Sequence, residues 1–103
     1  MISRRPIDFK KADVFRFTPA EKFEIIVSSL VFHNFGKKRF KAYSLLSSWT
    51  QVCSFIIMGD LFFSPKTDIA YLEKAFRILR QIKPKNGFRH YALLVMSKDS
   101  GQA

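Results

Sequence analysis

A helix-rich α+β domain is what the sequence predicts, on three observations. Apolar residues recur at helical spacing in three stretches. Thr-Pro and Ser-Pro pairs stand where helices would open, and only two short segments near the ends look like strands. Three helices are expected near 19–34, 38–58 and 65–83. Segments 13–17 and 88–96 are free to pair as a small sheet; without those strands the domain would be all-α. The chain has 103 residues, 48% of them hydrophobic, which suits a single core. Residues 1–11 read as a flexible basic arm, 12–97 as one globular domain and 98–103 as a tail that frays.

Taken in order, Asp13-Val-Phe-Arg-Phe17 alternates weakly and reads as a short strand. Thr18-Pro19-Ala20-Glu21 follows as an opening signal: a capping Thr, Pro at the first helical position and a capping-box Glu. Phe23, Ile26, Val27, Leu30 and Val31 then share one helical face, and Gly36 offers a stop. In the second helix Ala42, Leu45, Leu46, Trp49, Val52, Cys53 and Ile56 fall on one side, with serines opposite. A hairpin competes for part of this stretch, with Val52–Met58 and Leu61–Phe63 as strands around a Gly59-Asp60 turn. Seven apolar positions in register outweigh one turn dipeptide, so the helix is preferred over 51–58. Ser64-Pro65 opens the third helix, whose buried stripe is Ile69, Leu72, Phe76, Leu79 and Ile82. Pro84-Lys-Asn-Gly87 makes a turn, and the brief apolar run Phe88–Met96 reads as strand. The expected core is Phe23, Ile26, Val27, Leu30, Leu45, Leu46, Trp49, Val52, Cys53, Ile56, Ile69, Leu72, Phe76 and Leu79.

Charge supplies the functional lean. Eighteen Lys and Arg against eight Asp and Glu give a net charge of +10, which points to an anionic partner. Phe35-Gly-Lys-Lys-Arg-Phe-Lys41 places Lys37, Lys38, Arg39 and Lys41 at the expected start of the second helix. Free N–H groups beside cations there suit a phosphate, and Phe40 and Tyr43 offer stacking. Arg77, Arg80, Lys83, Lys85 and Arg89 form a second cluster, although cations near a helix C-terminus also simply complement its dipole. With Arg4, Arg5, Lys10 and Lys11 on the same side, the two clusters would make a phosphate-tracking stripe.

The resulting expectation is a small, non-enzymatic, cytoplasmic nucleic-acid-binding protein that contacts mainly phosphates, DNA and RNA being undistinguished. An accessory or inhibitor module docking on an acidic protein surface is the alternative, with Leu61-Phe62-Phe63 as its apolar patch. A membrane-surface protein using the uncharged stretch 42–58 is a third reading. That stretch is short and serine-rich for a span, so a membrane partner is disfavoured. No helix-turn-helix is assigned around Gly36, because Phe32 is large where a small residue is needed and Lys37 follows the glycine. One cysteine and two histidines leave no zinc-ligand set, and no cofactor motif appears. His33, His90 and Cys53 read as structural. A ribonuclease-like toxin using Arg89, His90 and Tyr91 is the one catalytic reading that the residues permit.

Overall fold

Ile25-Ile26-Val27 decides the first element, because consecutive β-branched side chains lose rotamer freedom in a helix and pack well in a strand. A computed structural model describes Ile7, residues 9–85 and residues 89–98. Its elements in order are β1 (Phe23–Ser29), a 3-10 segment (Phe32–Lys38), α1 (Arg39–Trp49), β2 (Thr50–Leu61), α2 (Pro65–Leu72), β3 (Phe76–Ile82) and β4 (Tyr91–Lys98). The sheet order is β1-β2-β4-β3: β1 runs parallel to β2, while β4 is antiparallel to both β2 and β3.

The helix-rich architecture is therefore corrected to a four-stranded mixed sheet with two α-helices. The expected helix 19–34 is replaced by β1, and no helix opens at Thr18-Pro19. Apolar residues at 23, 26, 27, 30 and 31 satisfy helical register only because a parallel strand is apolar on both faces. The expected helix 38–58 divides at Trp49–Thr50. Thr50 is extended at φ −120° and ψ 161°, and its hydroxyl donates to the Leu46 carbonyl at 2.8 Å, closing α1. Beyond it β2 runs straight through Gly59-Asp60, so the hairpin turn is absent as well. α2 opens at Pro65 as expected but ends at Leu72, and Phe76–Ile82 is strand instead of helix. Segment 13–17 is a turn, closed by the Arg16 N–H donating to the Asp13 carbonyl at 3.0 Å. The strand expected at 88–96 is present as β4, but it lies between β2 and β3. Arg4 and Arg5, Asn86-Gly87 of the expected turn, and residues 99–103 of the expected tail lie outside the described residues.

Both helices pack on one face of the sheet. Ala42, Tyr43 and Leu46 of α1 and Leu72 of α2 are buried with Ile56 and Met58 of β2, Phe76 of β3, and Ala92, Leu94 and Met96 of β4. Side chains alternate along a strand, so the intervening residues Ile25, Val27, Phe55, Ile57, Leu93 and Val95 form the other face. That face is apolar and open: Val27 is 70% exposed, Ile25 60% and Phe55 44%. Several expected core residues lie outside the core, among them Phe23, Val27, Leu30, Val52, Cys53 and Leu79, all exposed. Near its start β2 bulges from β1, for Phe23 pairs with Thr50 but Ile25 pairs with Phe55.

No helix among the described residues is long and apolar enough to cross a membrane. The uncharged stretch 42–58 is half helix and half strand.

Candidate functional site

Parallel strands bring their carboxyl ends together, and in open α/β sheets that edge is where ligands bind. Here β1 and β2 end side by side. The chain leaves β1 through Leu30, a non-glycine residue in the left-handed region at φ +54°, whose N–H donates to the Gly59 carbonyl at 2.8 Å. This sharp turn aims the backbone N–H groups of Phe32 and His33 back at Asp60 near the end of β2. Phe32 N donates to Asp60 Oδ2 at 2.7 Å and His33 N to Oδ1 at 3.3 Å, while Leu61 N donates to Oδ1 at 2.9 Å.

His33 Nδ1 lies 2.6 Å from Asp60 Oδ1. A carboxylate already accepting three backbone N–H groups has only acceptor capacity, so Nδ1 is the donor. That fixes the tautomer and leaves Nε2 as the acceptor. Asp60 is 1% exposed and the His33 side chain 22%, so a buried carboxylate orients a ring that still reaches solvent. The chemistry available is proton acceptance at Nε2, with the resulting imidazolium held by Asp60.

A second buried carboxylate holds the ground beneath. Asp68 of α2 accepts from Arg39 Nε at 2.8 Å and Nη2 at 2.9 Å, a forked pair, and from the Tyr43 hydroxyl at 2.7 Å. Arg39 also donates to the Gly36 carbonyl at 2.8 Å, tying down the kink at Gly36 within the 3-10 segment. Gly36 at φ +58° occupies a region that suits glycine. Burial, and then the bond to Asp68, raises the Tyr43 pKa above its ordinary value. The folded state therefore keeps this proton where an unfolded tyrosine, with its pKa of about 10, begins to lose it. Tyr43 contributes fully below about pH 10, and the contribution shrinks as pH rises above that. Relative to Tyr43→Phe, the wild type should lose up to about 1.4 kcal/mol per pH unit between pH 10 and 11. Urea titrations of both proteins at pH 8 and pH 11 measure this, and parallel changes would contradict it.

The sequence-derived basic residues separate into two places. β3 ends and β4 begins at the His33 end of the sheet, because Leu61 pairs with Tyr91 and Ile82 with Leu93. Lys37 and Lys38, Lys41 in the first turn of α1, Lys83 and Lys85 after β3, and Arg89 before β4 are thus all exposed at that end. Lys66, in the first turn of α2, joins them. No carboxylate lies within 4.0 Å of these cations among the described residues. Arg39 is committed to Asp68 and lies 4.4 Å from the centre of the Phe40 ring. Phe40 is half-buried against Tyr43 and Tyr71, and Tyr43 is buried, so neither presents an open stacking face. Arg77 and Arg80 sit apart, exposed along β3 on the open face of the sheet. Arg89 and His90 are exposed and Tyr91 half-buried, and the His90 ring lies 5.0 Å from Phe63. Leu61 is half-buried, Phe62 buried and Phe63 exposed. Composition and spacing missed the site's centre, His33 with Asp60.

No protein-family model matches this sequence, and a search of curated proteins finds no match. Solved structures do match. N-methyltransferase NodS from Bradyrhizobium japonicum WM9, in complex with S-adenosyl-L-homocysteine, superposes with a TM-score of 0.71 at 16% identity, covering 86% of this chain and 52% of that one. Another structure of NodS gives a TM-score of 0.69 at 14% identity, covering 84% and 57%. The chain therefore spans little more than half the length of the structures it matches. The expectation of a helical, non-enzymatic nucleic-acid-binding protein is corrected by these likenesses, which match its mixed sheet to the fold of a solved N-methyltransferase. At this identity the likeness shows one thing: the chain has a methyltransferase-like fold over about half the extent of its solved neighbours.

Proposed function

We propose that this chain supplies the acceptor side of a methyl-transferring enzyme, with His33 as the base that relieves an amine nitrogen of its proton. The observation that carries this is the His33–Asp60 pair at the carboxyl end of the parallel strands, in a fold shared with an N-methyltransferase. The N–H bond breaks, the proton passes to His33 Nε2, and the nitrogen keeps its lone pair for the transfer. Asp60 is a positioning residue, fixing the ring and stabilising the imidazolium. The unpaired cations around this end favour an acceptor with a phosphate or carboxylate group. Exposed, unpaired Cys53 suits a reducing cytoplasm.

The cofactor fits less well. S-adenosyl-L-homocysteine presents a ribose, an adenine and an amino-acid end. Nucleotide cofactors are commonly cradled by a glycine-rich strand-to-helix turn and a free carboxylate for the ribose. Among the described residues the glycines are Gly36, in the 3-10 segment, and Gly59, covered by the Tyr91 side chain. Asp60 and Asp68 are already saturated. At the His33 end of the sheet, the recess between Phe62, Pro65, His90 and Tyr91 is about 140 Å³, below the ~300 Å³ of typical small-ligand pockets, and the recess of about 490 Å³ beside Phe17, Phe23 and Trp49 lies at the other end. The described residues alone do not build the cofactor's site, and no step is routed through it.

The test is transfer of a tritiated methyl group from S-adenosylmethionine, catalysed by protein isolated from its own cells. Acceptors are phosphoethanolamine, ethanolamine and the small-molecule pool of those cells. The phosphorylated amine should react faster than the plain one, and His33→Gln should slow transfer by about 10²–10⁴-fold. Transfer that ignores His33→Gln removes the base, and no transfer to any acceptor removes the reading.

A further inference from the structure

At the end of the sheet opposite His33, β3 begins and β4 ends, because Phe76 pairs with Lys98. Against Phe76 a recess of about 230 Å³ opens between α1 and the turn joining α2 to β3. Leu72, Ala75 and Phe76 supply its apolar lining, and Ser44, Ser47, Tyr71 and Lys74 its polar one. It falls below the ~300 Å³ at which pockets for drug-sized ligands begin, so it admits a molecule the size of one substituted ring. The polar groups here are not equally committed. Ser44 Oγ donates to the Phe40 carbonyl at 3.2 Å, so in its 2.7 Å contact with the Tyr71 hydroxyl Tyr71 is the donor. Both of those protons are engaged. Ser47 differs. Lys98 Nζ reaches its carbonyl and lies 2.6 Å from its hydroxyl oxygen, and an ammonium only donates. The Ser47 O–H is therefore left without an acceptor among the described residues. Lys74 Nζ lies 4.9 Å from the centre of the Tyr71 ring. Among the described residues no carboxylate comes within 4.0 Å of Lys74 or Lys98. Burial, and then the charge of Lys22, hold Lys98 below the ordinary lysine pKa, and an anion nearby would oppose that shift.

We infer that this recess binds a small organic anion, whose carboxylate or phosphate accepts from the Ser47 hydroxyl and pairs with Lys74 while its apolar part lies on Leu72, Ala75 and Phe76. Lys98 stands behind Ser47, and its charge adds to the attraction. A neutral ligand leaves both ammonium groups without a counter-charge, and a cation is repelled by a chain of net charge +10. The site is separate from His33 and Asp60 and does not depend on the methyl-transfer reading.

The test titrates the isotope-labelled chain at low salt with benzoate, phenyl phosphate, benzyl alcohol and inorganic phosphate, read by amide resonances. Benzoate or phenyl phosphate should saturate with a Kd of about 1 mM or tighter, moving the Ser47, Ala75 and Phe76 amides most. The tighter of the two identifies the anionic group. Benzyl alcohol lacks the charge and inorganic phosphate the apolar part, so each should bind at least about tenfold more weakly. Ser47→Ala should weaken binding about tenfold, and Lys74→Gln, at an exposed position, about threefold. Lys38→Gln should not weaken it. Should Ser47→Ala shift amides across the sheet before any ligand is added, Lys74→Gln decides. Benzyl alcohol binding as well as benzoate would reduce the recess to an apolar gap and overturn the inference. Shifts confined to the His33 end, binding indifferent to Lys74→Gln, or no saturation by either organic anion would overturn it too. His33→Gln should leave binding unchanged, so the loss of this site would not touch the methyl-transfer reading.

Discussion

Asp60→Ala should be the most damaging single substitution in the described part of the chain, lowering stability by about 3–5 kcal/mol. One carboxylate, 1% exposed, accepts from Phe32 N, His33 N, Leu61 N and His33 Nδ1. Its removal strands several donors at once, and each buried donor without a partner costs about 1–3 kcal/mol. Water entering the gap relieves part of the sum. A domain of this size has about 5–15 kcal/mol in total, so the variant should melt about 15–30 °C lower. Asp60→Asn should be milder in folding, because its carbonyl still accepts. It should still free the His33 ring, since its NH₂ group faces a donor. Thermal and urea unfolding measure the first effect, and the His33 ring resonances report the second. An Asp60→Ala protein within 1 kcal/mol of wild type would mean that the β1–β2 end is held by something else.

Arg39→Met should follow closely, at about 2–4 kcal/mol. The pair with Asp68 is forked and nearly dry on the acid side, the Asp68 side chain being 3% exposed and the Arg39 side chain 20%. Breaking a buried pair by removing one partner typically costs about 3–5 kcal/mol, and the partial exposure of Arg39 trims that here. Arg39→Lys should restore only part, because an ammonium cannot reproduce the two parallel bonds. Asp68→Asn in the Arg39→Met background should recover stability, since the uncompensated charge is then gone. That reversal, read by urea unfolding of the two single variants and the double, separates an ion pair from simple packing. Lys38→Gln, one residue earlier and exposed, should change stability by less than about 0.5 kcal/mol.

Some of this was legible in the residues. Ser64-Pro65 marked the start of α2, and the brief apolar run ending at Met96 marked β4. The errors share a cause. A strand of a partly parallel sheet is apolar on both sides, and a continuous apolar run such as Ile25–Val27 fits a helical stripe as readily as a strand. The same ambiguity extended α1 across Thr50 and α2 across Phe76. The β-branched content of Ile25-Ile26-Val27 and Ile56-Ile57 was the signal that separates the two, and it was outweighed by spacing. The basic residues were visible as a set, but only topology shows that Lys37, Lys38 and Lys41 share an end of the sheet with Lys83, Lys85 and Arg89 while Arg77 and Arg80 stand apart. His33 and Asp60 are 27 positions apart in sequence, and no motif relates them. Asp60 after a glycine looked like a turn residue, and its part became visible only when the 3-10 segment folded back over the end of β2.

Among the described residues β4 is the last strand in sequence and one of the two inner strands of the sheet, paired with both β2 and β3. A chain emerging from the ribosome can join β1 to β2 early, but β3 has no neighbour until Tyr91–Lys98 is made. The antiparallel half must then assemble in one event, with β4 threading between strands already waiting. Until that moment β2 offers a free flank to any other nascent chain, so the interval between residues 61 and 98 is when this protein most needs a chaperone. Slowing translation across that interval should raise misassembly, and speeding it should not.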